Sequence, residues 1–185
     1  MSIAEDADLS IYKDVSPQEV EEYVNNDLME KYDYSEEDID YLMHFNPRVA
    51  LPPTYEQGGP VNNTTEYFEN YFGTTKDEAK EILLRYPIYL RLDQNKLEKR
   101  VKFYMDLGIN SEELTRDELN DIFKANPFYL LWSLDNYPRF IAEFKKYLFT
   151  KQETIKVLKE GGGVLALKGG SIKGLFDIGK INSWL

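Results

Sequence analysis

Among the residue types that can bind a ligand, lysine shows the clearest clustering in this 185-residue chain. Residues 145–185 hold eight lysines and three acids. Ammonium groups can pair with RNA phosphates, anionic lipid headgroups or the carboxylates of an acidic protein. The alternative interpretation is a solvated lysine face that binds nothing. The candidate anion or partner contacts are Lys145, Lys146, Lys151, Lys156, Lys159, Lys168 and Lys173.

Glycines near the lysines raise the question of a phosphate-binding loop. A nucleotide-binding P-loop has the order G-x-x-x-x-G-K-[ST] after a strand, whereas Lys168 precedes Gly169 and Gly170 here. The order excludes nucleotide hydrolysis by that motif. Two alternatives remain open: backbone N–H groups that receive an anion at the start of a final helix, or a turn with Ser171 as an ordinary N-cap.

Metal and catalytic chemistry have little support in the sequence. The chain has no cysteine and one histidine, His44, which cannot build a zinc site alone. The acidic stretch 33–40 lacks the central glycine and the ligand spacing of a calcium-binding loop. No nucleophile stands in a pattern with a base. We therefore predict a protein without enzymatic activity, metal or cofactor.

Three prolines spaced 40 residues apart mark copies of one helical unit: Pro47, Pro87 and Pro127. A Ser or Thr stands twelve residues before each proline, with an Asp or Glu three residues after it, which predicts a capping box at a helix start. Apolar residues four, seven and eight positions after the cap predict a buried stripe. Proline disfavours helix in the residue before it, so each helix should end there. A fourth copy opens at Thr150 and has Gly162 in the proline position.

The elements that complete each copy predict an all-α helical-repeat solenoid. A short apolar run after each proline predicts a 3₁₀ turn, followed by a second α-helix. About three and a half such copies, with a period of 35–40 residues, fit a solenoid of either hand. In the second helix of one copy, residues 94–107, we expect Leu97, Val101, Tyr104 and Leu107 to face inward.

The predicted domain organisation is simple. Residues 1–15 form an acidic N-terminal arm, and residues 16–185 form one helical-repeat domain with a loop insertion at 51–63. A short helix follows the insertion from residue 64, and a final helix covers about 171–183. The arm and the insertion have little capacity to bury themselves, so we expect both to contact partner subunits.

The repeats resemble one known family. The segments EILLRYPIYLRL and DIFKANPFYLLW, with the later junction LGINSEEL, are similar to repeats of the mitochondrial transcription termination factor (mTERF) family. The similarity covers about residues 33–183 and is best at 73–150. The resemblance implies a left-handed superhelix, organelle residence and nucleic-acid binding along a basic groove, with no enzymatic activity.

Charge sets this chain apart from a phosphate binder. The net charge is −11, and residues 1–66 alone hold 16 acids and 3 bases. Affinity for nucleic acid depends largely on Lys and Arg that neutralise phosphates. We therefore predict a non-enzymatic scaffold or accessory subunit of a mitochondrial assembly (respiratory-chain complex, ATP synthase or ribosome) that binds other protein subunits. The alternative is an mTERF-like nucleic-acid-binding regulator of organelle transcription or translation.

The predicted cellular location rests on the resemblance to the mTERF family alone. The first residues are acidic and lack the Arg-rich composition of a cleavable mitochondrial transit peptide. No apolar run approaches the roughly 18 residues that cross a bilayer. We expect mitochondrial residence, with peripheral membrane contact only through the larger assembly.

Overall fold

The computed structural model describes residues 14–92, 94–131, 136–146 and 149–160. Within these ranges every regular element is a helix, and the only bridge is an isolated one between Ile109 and Glu112. The chain divides into two compact units, residues 1–92 and 93–185. The predicted all-α helical repeat is confirmed for the described residues. The predicted final helix at 171–183 and most of the acidic arm lie outside them.

The described part of the first unit contains four α-helices, one π-helix and two 3₁₀ turns. Helix α1 spans Pro17–Tyr23 and continues as a π-helix, Val24–Lys31. The remaining elements are α2 (Glu36–Phe45), the first 3₁₀ turn (Pro47–Ala50), α3 (Pro60–Phe72), α4 (Lys76–Arg85) and the second 3₁₀ turn (Pro87–Arg91).

The described part of the second unit contains four α-helices and one 3₁₀ turn. They are α5 (Gln94–Leu107), α6 (Arg116–Ala125), the third 3₁₀ turn (Pro127–Leu131), α7 (Asn136–Lys146) and α8 (Lys151–Glu160). The helix pair and turn predicted for each copy are therefore present here as well.

Each repeat helix starts at the predicted capping box. Ser35, Thr75 and Thr115 accept a hydrogen bond from the backbone N–H three residues on, and the acid at that position accepts one from the cap N–H. Thr150 and Glu153 make the same reciprocal pair at the start of α8, at 3.2 and 2.7 Å. Two otherwise unpaired N–H groups are thus satisfied at every start.

The three repeat prolines each end one helix and begin a 3₁₀ turn, as their spacing predicts. Pro47, Pro87 and Pro127 are the first residues of the three 3₁₀ turns. The residue before the first of them, Asn46, is extended at φ −145° and ψ 100°, which stops α2. Gly162, the predicted substitute in the fourth copy, lies outside the described residues.

The stripe predicted for the repeat helices forms their buried face. The fourth position after the cap is fully buried in all four copies, as are one or both of the apolar pair that follows. In the first unit the ring of Phe68 on α3 meets that of Tyr89 edge-on, with centroids 5.1 Å apart. Tyr89 belongs to the second 3₁₀ turn. That turn therefore packs against α3 and is part of the core rather than a surface linker.

The loop insertion is shorter and more buried than we predicted. Helix α3 begins at Pro60, four residues before the predicted start, because Pro60 takes a first-turn position after Gly59, whose φ is +60°. Asn62 is buried and accepts a hydrogen bond from Tyr23 at 2.6 Å. Leu51 is also buried, and its carbonyl accepts from the Gly59 N–H at 2.7 Å. The expectation that residues 51–63 have little self-burial is therefore wrong at both ends of the segment.

In the second unit, Leu97, Val101 and Tyr104 of α5 are buried as predicted. Leu107 is 39% exposed, against the prediction. It is the last residue of α5, and at about 100° per residue it lies roughly 80° around the helix from Leu97, to the side of the buried stripe.

Candidate functional site

The five described lysines of the predicted cluster lie on two helices. Lys145 and Lys146 are exposed in the last turn of α7. The other three, Lys151, Lys156 and Lys159, are half-buried on α8. The remaining two members, Lys168 and Lys173, lie outside the described residues together with the glycines considered as an anion site.

Two of the α8 lysines form ion pairs with acidic side chains of α6. The Nζ of Lys151 lies 2.7 Å from Oε2 of Glu118 and donates to the carbonyl of Glu113 at 2.6 Å. The side chain of Lys151 is only 11% exposed. Lys159 Nζ lies 2.8 Å from Oδ2 of Asp121 on α6. These ammonium groups tie α8 to α6 and its cap, so the sequence-predicted cluster is partly structural.

The ion pair with Lys151 helps to lower the pKa of Glu118. Burial alone would raise the pKa of Glu118, but hydrogen bonds from Lys151 and from the Thr115 cap outweigh it and leave that pKa below its ordinary value. Glu118 is also the third residue of α6, where the helix dipole favours negative charge. The carboxylate therefore serves the capping box and the neighbouring copy at once.

A similar contact between a lysine and the capping box of the preceding copy occurs in the first unit. The sequence analysis did not predict it. Lys80 of α4 donates to the backbone carbonyl of Asp33, and its Nζ lies 3.7 Å from the capping carboxylate of Asp38. The same ammonium stands over the ring of Tyr34, 5.3 Å from its centroid. Lys80 and Lys151 occupy different positions in their copies, so the repeat pattern gives no signal for this contact.

His44 has neither metal nor catalytic partners among the described residues. It is exposed on α2, and its ring meets that of Phe45 edge-on at 5.7 Å. No group of three or more metal-ligating side chains occurs in the described ranges.

An aromatic surface on α2 was also not found from the sequence. Tyr41 is 45% exposed, and its ring lies 5.1 Å from the ring of half-buried Phe45. The signal that could have revealed it is a comparison of the copies, because the other three have a charged residue at the Tyr41 position. We call Tyr41, His44 and Phe45 the α2 aromatic face.

Charge is distributed very unevenly between the two units. Residues 1–92 carry 20 acids and 7 bases, a formal charge of −13. Residues 93–185 carry 13 acids and 15 bases, a formal charge of +2. Exposed basic side chains in the described part of the second unit include Lys96, Lys99, Arg139, Lys145 and Lys146. A polyanion would meet far less repulsion at the second unit.

Comparison with protein families gives one match: the family model described as mTERF matches residues 4–116, more than half of the chain. The match includes the first two copies and ends at the start of α6, so it begins earlier and stops sooner than the similarity seen by inspection. Comparison with curated proteins and with solved structures gave no significant match. None of the described helices combines the length and apolar character needed to cross a bilayer.

Proposed function

The chain belongs to the mTERF family, and we propose on that basis that it is a nucleic-acid-binding regulator of gene expression in an organelle, the mitochondrion. The family match over residues 4–116 is the observation that carries this proposal. The ranking of the sequence-based hypotheses is thereby reversed, because family membership favours the nucleic-acid function over the scaffold. The proposal includes no catalytic step.

The second unit is the part that we assign to the nucleic acid. Its formal charge is +2, whereas the first unit carries −13. At physiological salt, charges are screened beyond about 8 Å. A bound phosphate therefore responds mainly to charges within about that distance, which favours a surface where exposed lysines lie together. Lys145 and Lys146 are the preferred contacts because they are exposed and adjacent in the last turn of α7.

The lysine contacts predict the character of the binding. Lysine is a flexible point charge that suits phosphate rather than the bidentate recognition of bases. Binding should therefore be strongly salt-dependent, with each neutralised phosphate adding about 0.7 to the log–log salt slope for a single strand and about 0.9 for a duplex.

The test is a salt titration with labelled RNA and DNA, single- and double-stranded, followed by fluorescence anisotropy. Lys145→Gln with Lys146→Gln should weaken binding and reduce the slope by about 1.4 for a single strand, or about 1.8 for a duplex. Lys31→Gln with Lys76→Gln is the matched control, since both residues are exposed lysines of the first unit. The control changes the net charge equally and should leave the slope unchanged. Absence of binding by the intact protein at low salt would reject the proposal.

A second candidate function is the scaffold or accessory subunit of a larger mitochondrial assembly. The charge of −13 on residues 1–92 favours it, because a strongly acidic surface suits basic protein partners better than phosphate. Deletion of residues 1–15 should then release the protein from a high-molecular-mass complex in native gel electrophoresis of organelle extracts. Unchanged migration of the truncated chain would count against this candidate.

A further inference from the structure

The α2 aromatic face is not required by the repeat that carries it. Tyr41 stands six residues after the helix cap, where the later copies have Glu81, Asp121 and Lys156. Phe45 stands ten residues after the cap, where the later copies have Arg85, Ala125 and Glu160. The same fold is therefore built with charged or small residues at both positions.

The two rings form one surface rather than scattered apolar contacts. They are one helical turn apart, and their centroids lie 5.1 Å from each other in an edge-on arrangement. The ring of His44 joins Phe45 from the side at 5.7 Å. Single exposed apolar residues are common on soluble proteins, but a group of rings in edge-on contact, at positions where the sister copies are charged or small, indicates a bound partner.

The surroundings of the face specify the charge of that partner. Glu36, Glu37 and Asp40 are exposed on the same helix, on the N-terminal side of the rings. Asp38 is not available because it closes the capping box. At the opposite end, Arg91 donates to the carbonyl of Phe45 and Arg48 is half-buried. Basic groups would therefore be favoured along the acidic side and excluded from the arginine end.

From this arrangement we propose that the α2 aromatic face docks a basic amphipathic helix of another protein. Apolar side chains of that helix pack on Tyr41 and Phe45, and its Lys or Arg residues pair with Glu36, Glu37 and Asp40. An Arg placed over the Tyr41 ring gains a cation–π contact as well. The stretch from Glu37 to Phe45 is about 12 Å long, which matches two to three turns of a docked helix.

Other occupants fit the charge less well. Nucleic acid would bring phosphates against three exposed carboxylates. A second copy of this chain placing the same face against itself would bring three more. A basic protein segment is the occupant for which every neighbouring charge on the acidic side is favourable. This docking surface is independent of the proposed nucleic-acid function, whose contacts are assigned to the second unit.

A labelled 16-residue peptide tests the proposal, with leucines on one helical face and Lys and Arg on the other. Its binding to the full chain is measured by fluorescence anisotropy. Tyr41→Asp with Phe45→Ala gives α2 the residues that the third copy has at these positions, so we expect the variant to fold. Binding should fall at least about tenfold, the loss typical of aromatic anchors. The added negative charge alone would strengthen binding, so electrostatics cannot explain a loss.

Leu107→Asp is the matched control, because it adds the same charge at another exposed apolar residue, and should change the affinity less than about twofold. Counter-probes are the same peptide with Glu in place of Lys and Arg, and a 16-nucleotide single-stranded RNA. Neither should show binding that depends on Tyr41 and Phe45. The Lys145→Gln, Lys146→Gln variant should bind the peptide normally, which separates this test from the nucleic-acid function.

Three outcomes would overturn the proposal. The first is no binding of the basic peptide to the intact chain. The second is equal binding to the Tyr41→Asp, Phe45→Ala variant when urea unfolding shows that it is folded. The third is an RNA or acidic-peptide affinity, or a self-association seen by sedimentation, that is lost in the same variant.

Discussion

One carbonyl in the last turn of α8 accepts two hydrogen bonds from the preceding copy. The Nδ2 of Asn126 lies 2.6 Å from the Leu158 oxygen, and the hydroxyl of Tyr129 lies 2.9 Å from it. Asn126 also donates to the Lys159 oxygen at 2.8 Å. Carbonyls in the last turn of a helix have no partner within that helix, so these two side chains complete its C-terminal end.

The shared acceptor predicts that the two donors are energetically coupled. Tyr129→Phe removes one hydrogen bond and should cost about 1 kcal/mol. Asn126→Ala removes two and should cost about 1–3 kcal/mol. Either single change leaves the Leu158 carbonyl with one donor. The double change leaves it with neither in a buried residue, so its cost should exceed the sum by about 1 kcal/mol or more.

Equilibrium unfolding in urea measures the three variants, and hydrogen exchange of the α8 amides locates the effect. The α8 amides should lose protection in the double variant, whereas those of α5 should change less. Gln152→Ala is the control, because Gln152 is exposed on the same helix and should change stability by less than about 0.5 kcal/mol. Additivity of the two costs within about 0.3–0.5 kcal/mol would refute the shared acceptor.

Three further perturbations test contacts within single units. The pKa of Glu118 is below its ordinary value of 4.5, so its stabilisation is present above pH 4.5 and lost as the pH falls through the lowered value; Glu118→Gln should flatten this acid-side loss in urea unfolding at a series of pH values. Lys80→Met keeps the apolar stem but removes the ammonium held by Asp33 and Asp38, and should cost about 1–2 kcal/mol in urea unfolding, less in high salt. Gly108→Ala should lower the thermal midpoint, because φ is +60° and the new Cβ would collide with the Glu112 carbonyl. The contrary results are an unchanged acid slope, a salt-independent cost and an unchanged midpoint, respectively.

Local signals in the sequence predicted the repeat elements well. The capping boxes at Thr75 and Thr115 and the breaks at Pro87 and Pro127 are decided by a few neighbouring residues. Their geometry follows from backbone chemistry that every copy repeats. The start of α3 was missed because the pattern of three prolines and two glycines looked like a loop throughout, although Pro60 is well suited to a first helical turn.

Contacts between copies were not predictable in the same way. The uses of Lys151 and Lys80 depend on which acid the neighbouring copy presents, and no spacing rule within one copy encodes that. The predicted basic cluster therefore included lysines that are already paired. The α2 aromatic face was overlooked for the opposite reason, because attention to what the copies share conceals a position where one copy differs.

The hydrogen bonds from Asn126 also bear on how the protein is made. The capping box that starts each repeat helix lies within its own copy, so that start is specified as soon as the copy leaves the exit tunnel. The amide of Asn126, however, bonds to a carbonyl 32 residues later in the chain. Until α8 is synthesised, Asn126 therefore lacks these acceptors and α6 lacks the helix that it packs against. We expect a nascent chain that ends before α8 to leave apolar residues of α6 exposed to water.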